Sequence, residues 1–263
     1  MSVILKYRQR AEAVDSLVCV GLDSDPAKIP PRFDGDVVAF NQWIIDSTHP
    51  FTSAYKPNIA FYEARGAEGW RDLQQTVDYL RANHPDILII CDAKRCDNST
   101  SNMGYVTAIF DQLGCDAVTL HPYMGRQSLT PFLQRADKGC IILCRTSNPG
   151  DDELQNLLVD GKPLWRIVAE KVRDEWNTNG NCMLVVGATH PKELAQVRQI
   201  VGDMPLLVPG VGAQGGDVDA AVRAGIDSSG GGLIINASRS IIYADDPANA
   251  AKELRDAINA ARA

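Results

Sequence analysis

The sequence predicts a (β/α)8 barrel, one domain over residues 1–263. Three observations point there. Eight short apolar runs of strand length recur along the chain, helical patterns lie between them, and each run ends in polar or special residues. A chain of 263 residues is long enough for one large α/β domain with a sizeable core.

The runs are LVCVGLD (17–23), SAYKPN (53–58), ILIICDAK (87–94), AVTLHPY (117–123), CIILCRTS (140–147), CMLVVGAT (182–189), LLVPGVG (206–212) and LIINASRS (233–240). Most are near-continuously apolar, as parallel strands covered on both faces should be. The opening MSVILKYRQRAEAV reads as an amphipathic helix. Further helical patterns cover 37–47, 70–83, 100–113, 163–176, 191–201 and 247–262, and the last two open on proline at a plausible first helical position. Residues 145–162 form a long excursion after the fifth strand rather than a domain boundary. A doubly wound sheet is the alternative fold. Eight comparable repeats, and no GxGxxG after the first strand, disfavour it.

Composition narrows the function. Apolar residues make up 45%, charged residues 22%, and the net charge is −7. That balance disfavours a nucleic-acid or membrane surface, so any anionic ligand needs a local basic pocket. No apolar run reaches the roughly 18–20 residues of a membrane helix, and the N-terminal apolar patch is too short for a secretory signal. Seven cysteines (Cys19, Cys91, Cys96, Cys115, Cys140, Cys144, Cys182) are an odd number with no CxxC. They read as reduced, mostly buried thiols of a cytoplasmic protein, not as a disulfide framework or a zinc site.

The polar residues at the run ends are Asp23, Lys56, Asp92 with Lys94, His121, Ser147, Thr189, Gly212 and Arg239. In this architecture the C-terminal strand ends form the active-site face, so the chain looks like an enzyme. Residues 91–100, CDAKRCDNST, carry the densest chemistry. Asp92 and Lys94 are two apart on a strand and share a face. Asp97 follows in the loop or first turn of the next helix. An ammonium between two carboxylates stays protonated well above neutral pH. It is a poor Schiff-base nucleophile but a good fixed cation and proton donor. A structural ion-pair network at the rim would show the same residues. Lys56, at the end of the neighbouring run, favours chemistry.

The seventh and eighth runs continue as PGVGAQGGD (209–217) and NASRS (236–240). Barrels often bind phosphate in these two loops. The stretch opening at Pro209 offers Gly210, Gly212, Gly215 and Gly216 for close backbone approach to an anion. Arg239 supplies a planar cationic fork, and Gln214 an amide donor. A flexible turn beside a surface arginine is the plain alternative. His121 and His190 each precede proline and read as rim residues, with no metal-type partner at suitable spacing. Ser147 has no evident base partner and reads as a polar ligand contact.

DAKRCD (92–97) resembles the D-x-K-x-x-D signature of the orotidine 5′-phosphate decarboxylase family. GLD (21–23), AYKPN (54–58), LCRTSNPG (143–150), VVGATHP (185–191), PGVGAQGGD (209–217) and INASRS (235–240) resemble its other segments, in family order. The likeness spans nearly the whole chain and is greatest to the longer, bacterial-type branch with an insertion after strand five. It implies conversion of orotidine monophosphate to UMP and carbon dioxide in pyrimidine biosynthesis, without metal or organic cofactor. It implies that Asp23 and Lys56 hold ribose hydroxyls, with Lys56 joining the charged network. Asp92, Lys94 and Asp97 would form the catalytic array, with Lys94 as proton donor. Ser147 would contact the pyrimidine. Pro209, Gln214 and Arg239 would lie at the phosphate, and the loop around Gln214 would close over it. It also implies a homodimer in which Asp97 reaches into the partner's site.

Three local departures stand out. Family members usually have a small residue, often glycine, where this chain has Cys96, isoleucine where it has Asn98, and threonine where it has Ser101. Ser101 keeps the hydroxyl, and with it a backbone or ligand hydrogen bond. If the glycine is there for a positive φ, Cys96 is strained. Two competing functions remain at this level: another phosphate-sugar barrel (an epimerase, a hexulose phosphate synthase or a Schiff-base aldolase), and a non-catalytic nucleotide-binding barrel.

Overall fold

Eight parallel strands close on themselves: β1 (Val18–Gly21), β2 (Ala54–Lys56), β3 (Leu88–Arg95), β4 (Ala117–Leu120), β5 (Gly139–Arg145), β6 (Cys182–Val186), β7 (Leu206–Pro209) and β8 (Leu233–Ala237). Each pairs with its sequence neighbours, and β8 returns to β1 through the register Val18↔Ile235. The computed structural model describes residues 2–211 and 216–263.

All eight expected strands are present, each within or close to its apolar run. Their residues are buried almost throughout; Val18, Leu88, Ile142, Leu184 and Ile234 are fully so. Burial on both faces is what turns these runs into strands without polar alternation. Parallel pairing brings all eight C-terminal ends to one rim, so polar residues far apart in sequence converge there.

The helices cover the barrel: α1 (Val3–Ala13), α2 (Val37–Thr48), α3 (Gly66–Asn83), α4 (Ser99–Val106), α5 (Gly125–Leu133), α6 (Leu164–Lys171), α7 (Pro191–Val201), α8 (Val218–Gly225) and α9 (Pro247–Arg262). Their starts follow local chemistry. Ser2, Asp36 and Asp246 accept backbone N–H bonds as N-caps, and Pro191 and Pro247 occupy first-turn positions. The patterns at 100–113 and 163–176 are helical but end in π-turns, Thr107–Gln112 and Val172–Trp176. The excursion after β5 contains a short helix, Asp152–Gln155, and a two-stranded ribbon pairing Leu158–Val159 with Lys162–Pro163.

Candidate active site

A cavity of about 340 Å³ opens at the C-terminal rim, and Asp23, Lys56, Asp92, Lys94, Ser147 and Arg239 all line it. Five runs of sequence thus supply one site. Pro209 lines it as well. Gln214 lies outside the described residues, as do Gly212 and Gly215.

Asp92 is the hinge of the charge arrangement. It lies on β3 and is 8% exposed. Its Oδ2 accepts from Lys56 Nζ at 2.9 Å, and its Oδ1 from Lys94 Nζ at 2.6 Å. Thr119 on β4 donates its hydroxyl to the same Oδ1 at 2.9 Å and accepts from the Lys94 backbone N–H at 2.9 Å. Burial alone would raise the Asp92 pKa, but the two ammonium groups outweigh it and hold the carboxyl well below the usual range. Lys56 shows the converse. Burial would lower its pKa, but Asp92 and Asp23 outweigh that and push it above the ordinary lysine value.

The two lysines differ in exposure. The Lys56 side chain is 4% exposed and the Lys94 side chain 51%. Lys56 is therefore a buried, paired cation at the cavity wall, while Lys94 presents its ammonium to the cavity. Lys94 also has a left-handed backbone, φ +46°. An L-residue with a side chain this long seldom adopts that region, and such strain concentrates at functional sites.

Two expectations need correcting. Lys94 does not sit between two carboxylates of its own chain: its ion pair among the described residues is with Asp92. Asp97 stands outside the cavity lining. Its Oδ1 accepts from the Asn98 N–H at 2.6 Å, and buried Asn102 pins its backbone through two hydrogen bonds. The left-handed backbone at Lys94 falls within a register shift of β3 against β4 between Cys91 and Arg95, so regular strand alternation does not carry through to Asp97. Strain at Cys96 is likewise not found. The positive φ lies at Lys94, and Cys96 is not among the positive-φ residues.

Asn98 has a defined role. Its side chain caps α4, accepting from Thr100 N and Ser101 N. Ser101 is exposed on that helix and does not line the cavity. His121 Nε2 meets Cys96 O at 2.9 Å, and His190 Nε2 meets Asp151 Oδ2 at 2.7 Å. Both are rim residues, as expected. No group of three or more potential metal ligands occurs among the described residues.

Asp23 lies just past β1. Ser238, after β8, donates to its Oδ2 at 2.7 Å. Gly21 makes this possible, because a Cβ there would lie 1.8 Å from the Ser238 hydroxyl oxygen. The other oxygen, Asp23 Oδ1, is buried with no hydrogen-bond partner among the described residues. Such a group wants a donor. Arg239 does not extend β8 but opens the short helix Arg239–Ile242, exposed, with no ion pair to the described residues.

Sequence reasoning missed Asn58, Thr119, Asn236 and Ser238, all of which line the cavity. Thr119 carried a usable signal, a polar residue two before His121 in an otherwise apolar run. Asn236 carried the same signal on β8.

A family model described as "Orotidine 5'-phosphate decarboxylase / HUMPS family" matches residues 16–254. The chain is 49% identical to an orotidine 5′-phosphate decarboxylase of Cellvibrio japonicus (strain Ueda107), covering 100% of both. It is 51% identical to one of Cupriavidus metallidurans, over 88% of this chain and 85% of that one. Among solved structures, Leishmania donovani OMP decarboxylase superposes with a TM-score of 0.90 at 41% identity, covering 100% of this chain and 99% of that one.

Proposed function

The chain belongs to the orotidine 5′-phosphate decarboxylase / HUMPS family, and from that premise we propose how its rim residues carry the reaction. It is a carboxy-lyase of pyrimidine biosynthesis that converts orotidine monophosphate to UMP and carbon dioxide.

One observation carries the proposed mechanism: a buried, ionised Asp92 holds the cavity-facing Lys94 ammonium in place. Loss of carbon dioxide leaves an electron pair on the pyrimidine ring carbon. A fixed ammonium there stabilises the developing charge and then gives its proton to that carbon. The resulting amine regains a proton from solvent, which the half-exposed Lys94 can reach. Thr119 bonds both the Lys94 backbone and Asp92, so the pair is oriented before substrate arrives. The reading uses these side chains alone, without metal or organic cofactor.

Asp23 and Lys56 hold the ribose hydroxyls, a role supported by the unpartnered Asp23 Oδ1. Ser147 meets the pyrimidine. Arg239, with Pro209, Gly210 and Gln214, receives the phosphate. Binding energy from that remote group supports the chemical step. Asp97 and Ser101 serve a second copy of the chain in a homodimer, a reading supported by their place outside their own cavity. The protein is a single barrel domain over 1–263. Seven unpaired cysteines, six of them buried, fit a reducing cytoplasm.

The test is direct. Purified protein is mixed with orotidine monophosphate and excess chelator, and UMP and carbon dioxide are both followed. Equal yields of the two are expected. Tight UMP binding without turnover would instead favour a non-catalytic nucleotide-binding barrel.

A further inference from the structure

The excursion after β5 is tied to the cavity by a polar network that the mechanism above leaves unused. Arg145, the last residue of β5, is 3% exposed. Its guanidinium pairs with Asp151 Oδ1 at 2.8 Å. The other Asp151 oxygen meets His190 Nε2 at 2.7 Å, at the entrance to α7. Burial would raise the Asp151 pKa, but Arg145 and His190 outweigh it and the carboxyl stays ionised. A buried arginine needs such a partner, so the start of the excursion is fixed to two strand ends at once.

Gln155 extends this brace to the cavity wall. It lies at the end of the short helix Asp152–Gln155. Its Oε1 accepts from the Thr146 backbone N–H at 2.9 Å and from Arg145 at 3.3 Å. Its Nε2 donates to Thr146 Oγ1 at 2.7 Å. The Thr146 hydroxyl passes its own proton to Asn148 Oδ1 at 2.7 Å. One amide thus grips both the main chain and the side chain of Thr146. Thr146, Ser147 and Asn148 all line the cavity. From the other side the segment packs on β6's end, where a Cβ on Gly187 would lie 2.6 Å from Ser147 Cβ.

We propose that Gln155, braced by Arg145, Asp151 and His190, is a positioning residue that sets the 146–148 segment against the pyrimidine of the bound nucleotide. The proposal rests on the reading of Ser147 as the pyrimidine contact of a decarboxylase. It gives the excursion a function: it carries the clamp that shapes the base-binding wall. Placement errors of about 1 Å at such a wall cost roughly 100-fold in rate, while the exposed ribbon beyond it does not line the cavity.

The experiment compares the full chain with Gln155→Ala and Gln155→Glu. It measures kcat, KM, UMP affinity, competitive inhibition by ribose 5-phosphate, and Tm. In Gln155→Ala, kcat/KM for orotidine monophosphate should fall roughly 10- to 100-fold. UMP should bind more weakly, ribose 5-phosphate inhibition should be unchanged, and Tm should move little. Gln155→Glu keeps the acceptor for Thr146 N–H and Arg145, and should recover most of the loss. Equal weakening of UMP and ribose 5-phosphate would overturn the inference, because the defect would not be at the base. So would a Glu variant no better than Ala, or an Ala variant matching wild type. Wild-type protein without turnover would overturn the decarboxylase reading itself, and this inference with it.

Discussion

At the β2–β3 end of the cavity, charge is buried and already paired; at the β7–β8 end it is exposed and uncommitted. Lys56 and Asp92 are 3% and 8% exposed and satisfy each other. Arg239 stands at the surface with no ion pair among the described residues. The physical demands differ accordingly. Stabilising a developing carbanion requires charges that do not reorganise during the step, and burial with mutual pairing fixes them. Receiving a doubly charged phosphate requires a cation whose partner is the ligand itself. Pairing Arg239 internally would make the ligand compete for it. On the proposed function, one end serves stability and chemistry together, and the other grips the ligand.

Breaking the first end should show the largest effect. Lys94→Ala should lower turnover on the order of 10^4-fold or more, since it removes both the proton donor and the fixed cation. Its half-exposed side chain implies little loss of stability, and UMP should still bind. Unchanged turnover would sink the mechanism. Mixing Lys94→Ala chains with Asp97→Ala chains should restore part of the activity, because a symmetric heterodimer assembles one site with both residues intact. No recovery in verified heterodimers would remove Asp97 from the partner's site.

Asp92→Asn separates stability from chemistry at the same end. It leaves the Lys56 ammonium buried without its carboxylate and should destabilise the fold by about 3 kcal/mol, read from denaturant midpoints. The pH dependence has a definite sign. The folded pKa of Asp92 lies below its unfolded value of about 3.9. Its contribution is therefore whole at neutral pH, begins to fade near pH 4, and is lost as pH falls through the depressed folded value. The gap between wild type and Asp92→Asn should narrow over that acidic range. Lys56 behaves oppositely. Its pKa is raised, so its contribution persists below about pH 10.4 and fades above it. A gap that stays constant down to strongly acidic pH would mean that Asp92 is not the ionised anchor.

Arg239→Ala should leave the denaturation midpoint almost unchanged, as exposed substitutions usually do. It should weaken UMP roughly 10- to 100-fold, the size of a lost charge-assisted fork, and leave uridine binding nearly untouched. Equal weakening of both ligands would move the phosphate elsewhere. If Arg239→Ala cost as much stability as Asp92→Asn, the contrast between the two ends would be wrong.

The two ends were also unequally legible in the sequence. Barrel strands stood out because burial on both faces leaves continuous apolar runs, and a charged residue ending such a run is conspicuous. Asp23, Lys56, Asp92 and Lys94 were found that way. Thr119 and Asn236 were not, because a single polar residue inside an apolar strand resembles ordinary tolerance until its neighbours are known. Helix α5 was missed because it is short and contains Pro131. The clamp at Gln155 was invisible because its partners, Arg145 and Thr146, and the Asp151–His190 pair behind Arg145, are joined by tertiary folding of the excursion. For Asp97 only the expectation of contact with Lys94 of its own chain is corrected. Its three-residue spacing from Lys94 suggested contact, but that inference assumed an ordinary backbone at Lys94, and the backbone there is left-handed.

That backbone yields the smallest and most specific prediction. Replacing Lys94 by alanine keeps a Cβ at φ +46°, whereas glycine adopts this region freely. Elsewhere in a strand glycine would be the less stable choice. Here Lys94→Gly should be as inactive as Lys94→Ala yet more stable by about 1 kcal/mol, a shift readable in matched urea titrations. The comparison removes the ammonium from both variants, so the difference reports backbone strain alone. A glycine variant less stable than the alanine variant would show that no strain is stored at Lys94. The left-handed turn would then be a plain feature of the chain's path. With the predicted sign, the β2–β3 end would combine buried paired charge with a strained residue presenting the proton donor, while no described side chain at the β7–β8 rim shares that strain.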